Sequence, residues 1–93
     1  MTVGILRLVI YIHDSNSLKQ KRMVLHSLKA RLRNSFNVAI AQIGDEDKWQ
    51  KATLAIVGVE RDSKLMNSSL SKIVNFLENF PQISLLEQEM ELI

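Results

Sequence analysis

The apolar residues of this 93-residue chain switch between a period of two and a period of 3.6, and the order of the switches leaves few folds open. Val3 to Ile12 alternates, with Leu6, Leu8, Ile10 and Ile12 on one face and Val3, Ile5, Arg7, Val9 and Tyr11 on the other, which predicts a first strand. His13-Asp14-Ser15-Asn16 is turn chemistry. Ser17 followed three residues later by Gln20 is a capping-box pattern, and it opens a helix over Leu18 to Asn34 with Leu18, Leu25, Leu28 and Leu32 in its apolar stripe. Alternation returns from Phe36 to Ile43, with Phe36, Val38 and Ile40 as the core set, and again from Trp49 to Glu60, with Leu54 and Ile56 inward. The polar turn Gly44-Asp45-Glu46-Asp47-Lys48 between them predicts a hairpin. Asp62 or Ser63 caps a second helix whose Met66, Leu70, Ile73, Val74, Leu77 and Phe80 step by three and four, Pro81 ends it, and residues 83–92 form a fourth strand.

The resulting order, βαββαβ, is a split βαβ arrangement. Short connections and right-handed crossovers then favour a ferredoxin-like α+β sandwich: a four-stranded antiparallel sheet in the order 4-1-3-2 with both helices on one face. At this length one core is expected, so residues 1–93 are read as a single domain.

Charge is distributed unevenly along this frame. Residues 1–43 hold seven Lys/Arg against one acid, whereas residues 60–93 hold three against six. Six of the basic residues, and no acid, fall in Leu18 to Asn34. At 100° per residue Lys19, Arg22, His26, Lys29 and Arg33 occupy an arc of roughly 80° beside the apolar stripe. Such a stripe suits phosphates, RNA above all; the plainer explanation is a solvated basic face. No apolar run reaches the roughly 18 residues of a membrane span. The chain has no cysteine, which fits a reducing compartment and makes the cytoplasm the expected location.

The topology brings distant residues to one edge of the sheet. His13, Asp14, Ser17, Lys19, Lys21 and Arg22 meet Asp45, Glu46, Asp47, Trp49 and Gln50 there. Lys21 is the odd member, because its helical angle lies inside the apolar arc. It either extends its ammonium past the sheet edge or pairs with Asp47, or it joins the helix N-terminus in binding a phosphate or carboxylate. The acidic run lacks calcium-loop spacing, and His13 and His26 lack zinc spacing. No nucleophile elbow, phosphate loop or dinucleotide fingerprint occurs, so no catalytic residue, cofactor or metal is expected.

The other sheet face shares its topology with RNA-recognition domains, which stack bases on aromatics of the two central strands. Here strand one offers Tyr11 and Arg7 but strand three offers Thr53, Ala55 and Val57, so that platform is missing. Val3, Ile5, Val9, Ala39, Ala41, Ile43, Ala55, Val57 and Val59 make the face apolar, which points to association with a second copy centred on Val9, Tyr11, Ala55 and Val57.

Three segments carry a family resemblance: VGILRLVIYI, HDSNSLKQKRMVLHSLKARLRNSFNVAIAQ and DKWQKATLAIVGV. Within them stand S-L-K-x-K-R at Ser17 to Arg22 and D-x-W-Q-x-A at Asp47 to Ala52. Over nearly its full length the chain resembles the YlxP-like family, a bacterial domain of unknown function often encoded among genes for transcription and translation factors. The resemblance implies a ferredoxin-like fold and a link to RNA or ribosome biology, and supplies no catalytic residue.

Taken together, these features lead first to a non-enzymatic protein associated with RNA or the ribosome through Lys19, Lys21, Arg22, His26, Lys29 and Arg33. A homodimeric scaffold or protein-interaction module using the apolar sheet face is the alternative. A small enzyme or anion-binding protein at the Lys21/Asp47/Trp49 edge comes third, beside an edge cluster of Ser17, Asp47, Trp49 and Gln50.

Overall fold

In the computed structural model, which describes residues 1–93, the elements run β1 (Thr2–Ile12), α1 (Leu18–Ser35), β2 (Val38–Gly44), β3 (Lys51–Glu60), α2 (Ser63–Glu78) and β4 (Ile83–Leu92). The strands form one sheet in the order β2-β3-β1-β4, with every neighbouring pair antiparallel. This is the ferredoxin-like arrangement, with the expected order read from the opposite edge.

One face of the sheet makes the core. Leu6, Leu8, Ile10 and Ile12 of β1 and Ala52, Leu54 and Ile56 of β3 are buried against Leu25, Leu28 and Leu32 of α1 and Met66, Leu70, Ile73 and Leu77 of α2, within a cluster of 17 apolar residues. Helix α2 comes close enough that Gly4 of β1 has no room for a side chain. A Cβ there would lie 2.6 Å from Cγ of Met66. Gly58, paired with Gly4 across the β1/β3 ladder, lies under the same methionine.

Helix starts follow the sequence signals. Ser17 caps α1 by accepting from the N–H of Gln20 at 3.1 Å, but the Gln20 side chain reaches back to the Asn16 N–H at 2.6 Å, one residue before the cap. Asp62 caps α2 by accepting from the N–H of Leu65 at 2.9 Å.

Three boundaries differ from the expected ones. Phe36 belongs to no strand: its N–H donates to the carbonyl of Leu32 and closes α1, while its half-buried ring meets Phe76 edge-on at 6.3 Å. Trp49 and Gln50 precede β3, and the Gln50 carbonyl accepts from the N–H of Ile12 at 2.8 Å. Helix α2 ends before Pro81, because Asn79 turns its side-chain amide onto the carbonyl of Asn75 at 2.8 Å. The β1/β4 ladder also carries a bulge between Val9 and Ile10, which leaves Leu86 unpaired.

Candidate nucleic-acid interface

The exposed stripe of α1 is built by the same periodicity that buries its leucines. Lys19, Arg22, His26 and Arg33 are exposed and Lys29 is half-buried, and none of the five forms an ion pair. Gln20, Met23, Val24 and Ser27, about a third of a turn away around the helix, line a cleft of about 460 Å³ with Pro81 and Gln82 from the loop after α2. Arg31 stands on that side too, with its guanidinium 5.4 Å from the centre of the Phe80 ring. The unpaired stripe therefore faces away from the end of α2.

Lys21 is not part of this surface. It is 2% exposed, and its ammonium donates to the backbone carbonyls of Asp45 and Lys48, each at 2.5 Å. Neither an extension past the sheet edge nor an ion pair with Asp47 is its arrangement. The apolar arc aims the side chain under the β2–β3 turn, where two inward-pointing carbonyls take the place of a carboxylate. Burial pushes the lysine below its ordinary value, against the opposing pull of Asp45, Glu46 and Asp47.

Asp45 organises the turn from its other side. Its backbone is left-handed, with φ at 63°, a conformation that aspartate tolerates better than most residues. The carboxylate accepts from the Thr53 hydroxyl at 2.8 Å and faces the Lys48 ammonium at 3.5 Å. The Thr53 bond, aided by Lys51 and Lys48, holds the carboxyl below its usual range.

The expected edge cluster divides between two sides of this turn. Ser17 is occupied as a helix cap and Lys21 lies beneath the turn. Asp47, Trp49 and Gln50 instead open onto the outer sheet face, where they line a cleft of about 700 Å³ with Tyr11, Lys48 and Lys51. Trp49 is 55% exposed and packs on no other ring, whereas Tyr11 meets His13 edge-on at 5.2 Å. The Nε2 of His13 shares a 2.8 Å hydrogen bond with the Ser84 hydroxyl, which fixes that ring. An aromatic does therefore stand near Tyr11, supplied by the hairpin and not by the middle of strand three. The period of two carried the signal, since Trp49 shares its parity with the outward-facing Lys51 and Thr53.

Farther along the outer face the character changes. Val9, Ala55 and Val57 lie on it together, with Val57 exposed and the other two half-buried. Glu87, Glu89 and Glu91 of β4 sit beside Val9, Arg7 and Ile5, and Arg7 reaches Glu89 at 3.6 Å. This acidic row escaped the sequence expectation, although glutamate at every second residue is itself a period-two signal. The two sides of the molecule thus differ in sign, basic along α1 and acidic along β4.

Residues 3–90 match the family model described as "Protein of unknown function (DUF503)". The chain belongs to the DUF503 family. The DUF503 match takes in the basic stripe, the whole hairpin and β4 as far as Met90. The chain is also 38% identical over 72 residues to "Uncharacterized protein YlxP" of Bacillus subtilis (strain 168), covering 77% of this chain and 78% of that protein. The YlxP-like resemblance seen in the sequence is therefore a family relationship. Neither helix of this DUF503 chain is long and apolar enough to cross a membrane.

Proposed function

We propose that the chain is a non-enzymatic, cytoplasmic protein associated with RNA or the ribosome, and that it holds phosphates on the outer stripe of α1. The observation that carries this reading is the stripe itself: Lys19, Arg22, His26, Lys29 and Arg33 share one helix face, and none has an acidic partner. Unpaired cations on a rigid helix bind phosphate without first breaking an internal pair. The acids of β4 would repel a polyanion from the opposite edge and so orient it toward α1. Contacts of this kind set position and carry no base identity.

The test is a salt titration of RNA binding with wild type and with Lys19→Glu/Arg22→Glu/Arg33→Glu. All three side chains are exposed, so the variant should fold as wild type does. Binding should be abolished in the triple variant, and each single reversal should reduce the salt slope by about 0.7 to 0.9. Equal affinity of wild type and triple variant at low salt would make the stripe a solvated surface.

A second reading rests on the outer sheet face, where exposed Val57 and Val59 and half-buried Val9 and Ala55 leave an apolar strip beside the glutamates. A second copy of the chain would cover it as a homodimer.

A further inference from the structure

We propose that the cleft between Tyr11 and Trp49 takes an unpaired nucleobase, with the adjoining phosphate on Lys48 and Lys51. The inference rests on the RNA reading above and adds to it that the bound strand is single at this point.

The chemistry of the lining selects this ligand. Tyr11 rises from the outer face of β1 opposite Lys51 of β3, and Trp49 stands two residues before Lys51 at the hairpin end of the same face. Tyr11 is steadied by the His13 edge at 5.2 Å, and His13 by Ser84 at 2.8 Å, so one wall of the cleft is set before anything binds. Trp49 lacks a ring partner and is 55% exposed, which leaves an indole face free for stacking. The opening of about 700 Å³ is ample for a nucleobase and its sugar.

Polar groups complete the site. The Lys48 side chain is largely exposed and its ammonium has one ion-pair contact, 3.5 Å to the more sheltered Asp45 carboxylate, which also keeps its Thr53 bond; the ammonium can therefore turn to a phosphate without leaving Asp45 unpartnered. Asn16, Asp47 and Gln50 supply acceptors and donors that could engage the edge of a base lying against the rings. A proline-rich peptide would also suit two aromatics, but it has no use for paired lysines at the rim. The β4 glutamates lie farther along the face, so a strand leaving the cleft is directed around the hairpin end toward the start of α1 and its basic stripe.

Trp49 is the chain's one tryptophan, which makes its emission a reporter of this cleft alone. The probes are adenosine monophosphate, a ten-nucleotide single-stranded RNA, the same sequence as a duplex, and a proline-rich peptide. Saturable quenching by the mononucleotide and by the single strand is expected, in wild type and, for the mononucleotide, equally in the helix triple variant. Read by anisotropy of end-labelled RNA, Tyr11→Ala and Trp49→Ala should each weaken single-strand binding by about 5- to 150-fold, Trp49→Phe should restore most of it, and duplex binding should stay unchanged. Circular dichroism checks that each variant folds. Unchanged Trp49 emission with both the mononucleotide and the single strand overturns the cleft, and if RNA still binds through α1 the stripe reading survives that loss. Saturable quenching by the peptide but not by the mononucleotide overturns it in favour of a peptide site.

Discussion

The hydroxyl of Thr53 donates to the carboxylate of Asp45 at 2.8 Å, across the turn that joins β2 to β3. This bond lowers the Asp45 pKa from its usual 3.8, so its stabilisation is fully present above that value and lost as pH falls through the folded-state pKa. Thr53→Val should therefore be less stable than wild type at neutral pH, with the difference shrinking below about pH 3.8. Urea unfolding at pH 7 and pH 2.5 checks this; a gap that is the same at both values would show that the hydroxyl acts only through packing.

The sign is the same for Lys21, although here it is burial of the charged form that lowers the pKa. Its folded pKa lies below the ordinary 10.5, so the unfolded chain binds more protons over the interval between the two, and stability from this group rises as pH climbs through it. Lys21→Met removes the charge but leaves carbonyls of Asp45 and Lys48 without their donor, at a cost of about 1–3 kcal/mol. The deficit relative to wild type should grow as pH rises toward 10.5. Denaturant midpoints measured from neutral pH upward decide the matter.

Gly4→Ala puts a methyl group 2.6 Å from Cγ of Met66, and overpacking of this kind costs about 1–3 kcal/mol. Met66→Ala alone opens a cavity for about 2–5 kcal/mol. Because the two residues share one space, the double variant should be more stable than the sum of the single losses predicts. Thermal unfolding of the four proteins measures the coupling, and strict additivity would place the clash elsewhere.

Leu28 is fully buried between α1 and the sheet, so Leu28→Ala should cost about 2–5 kcal/mol with the fold intact. Equilibrium unfolding gives the value. A loss under about 1 kcal/mol would mean that α1 packs through a different face in solution.

If the outer face is a dimer contact, Val57→Asp should convert the protein to monomer without changing its circular dichroism, since Val57 already meets solvent in the single chain. Light scattering at tens of micromolar is the measurement. A monomeric wild type would remove the second reading.

The fold was legible in the sequence because each element has both a period and a punctuation mark. Leu6, Leu8, Ile10 and Ile12 alternate and Ser17 caps α1; Asp62 does the same for α2. Phe36 misled because it continues the alternation of Val38 and Ile40 while lying at the closing turn of a helix. Periodicity reports side chains, and Phe36 is placed by its backbone N–H. Lys21 failed for a related reason: its partners are main-chain carbonyls, and a carbonyl leaves no mark on residue identity. The Tyr11 and Trp49 cleft was half legible, since parity put Trp49 on the outer face, but only the pairing of Tyr11 with Lys51 brings the two rings to one end.

The Lys21 bonds also have a mechanical meaning. A swing of the hairpin away from α1 would leave an ammonium and two carbonyls without partners in a buried space, so the tip bearing Trp49 and the helix bearing Lys19 and Arg22 travel as one body. A nucleic acid that engages both would meet them at a set span. On the proposed RNA reading the chain would then act as a gauge of strand length: an oligonucleotide too short to bridge cleft and stripe would gain one contact, and one long enough would gain the second at high effective concentration.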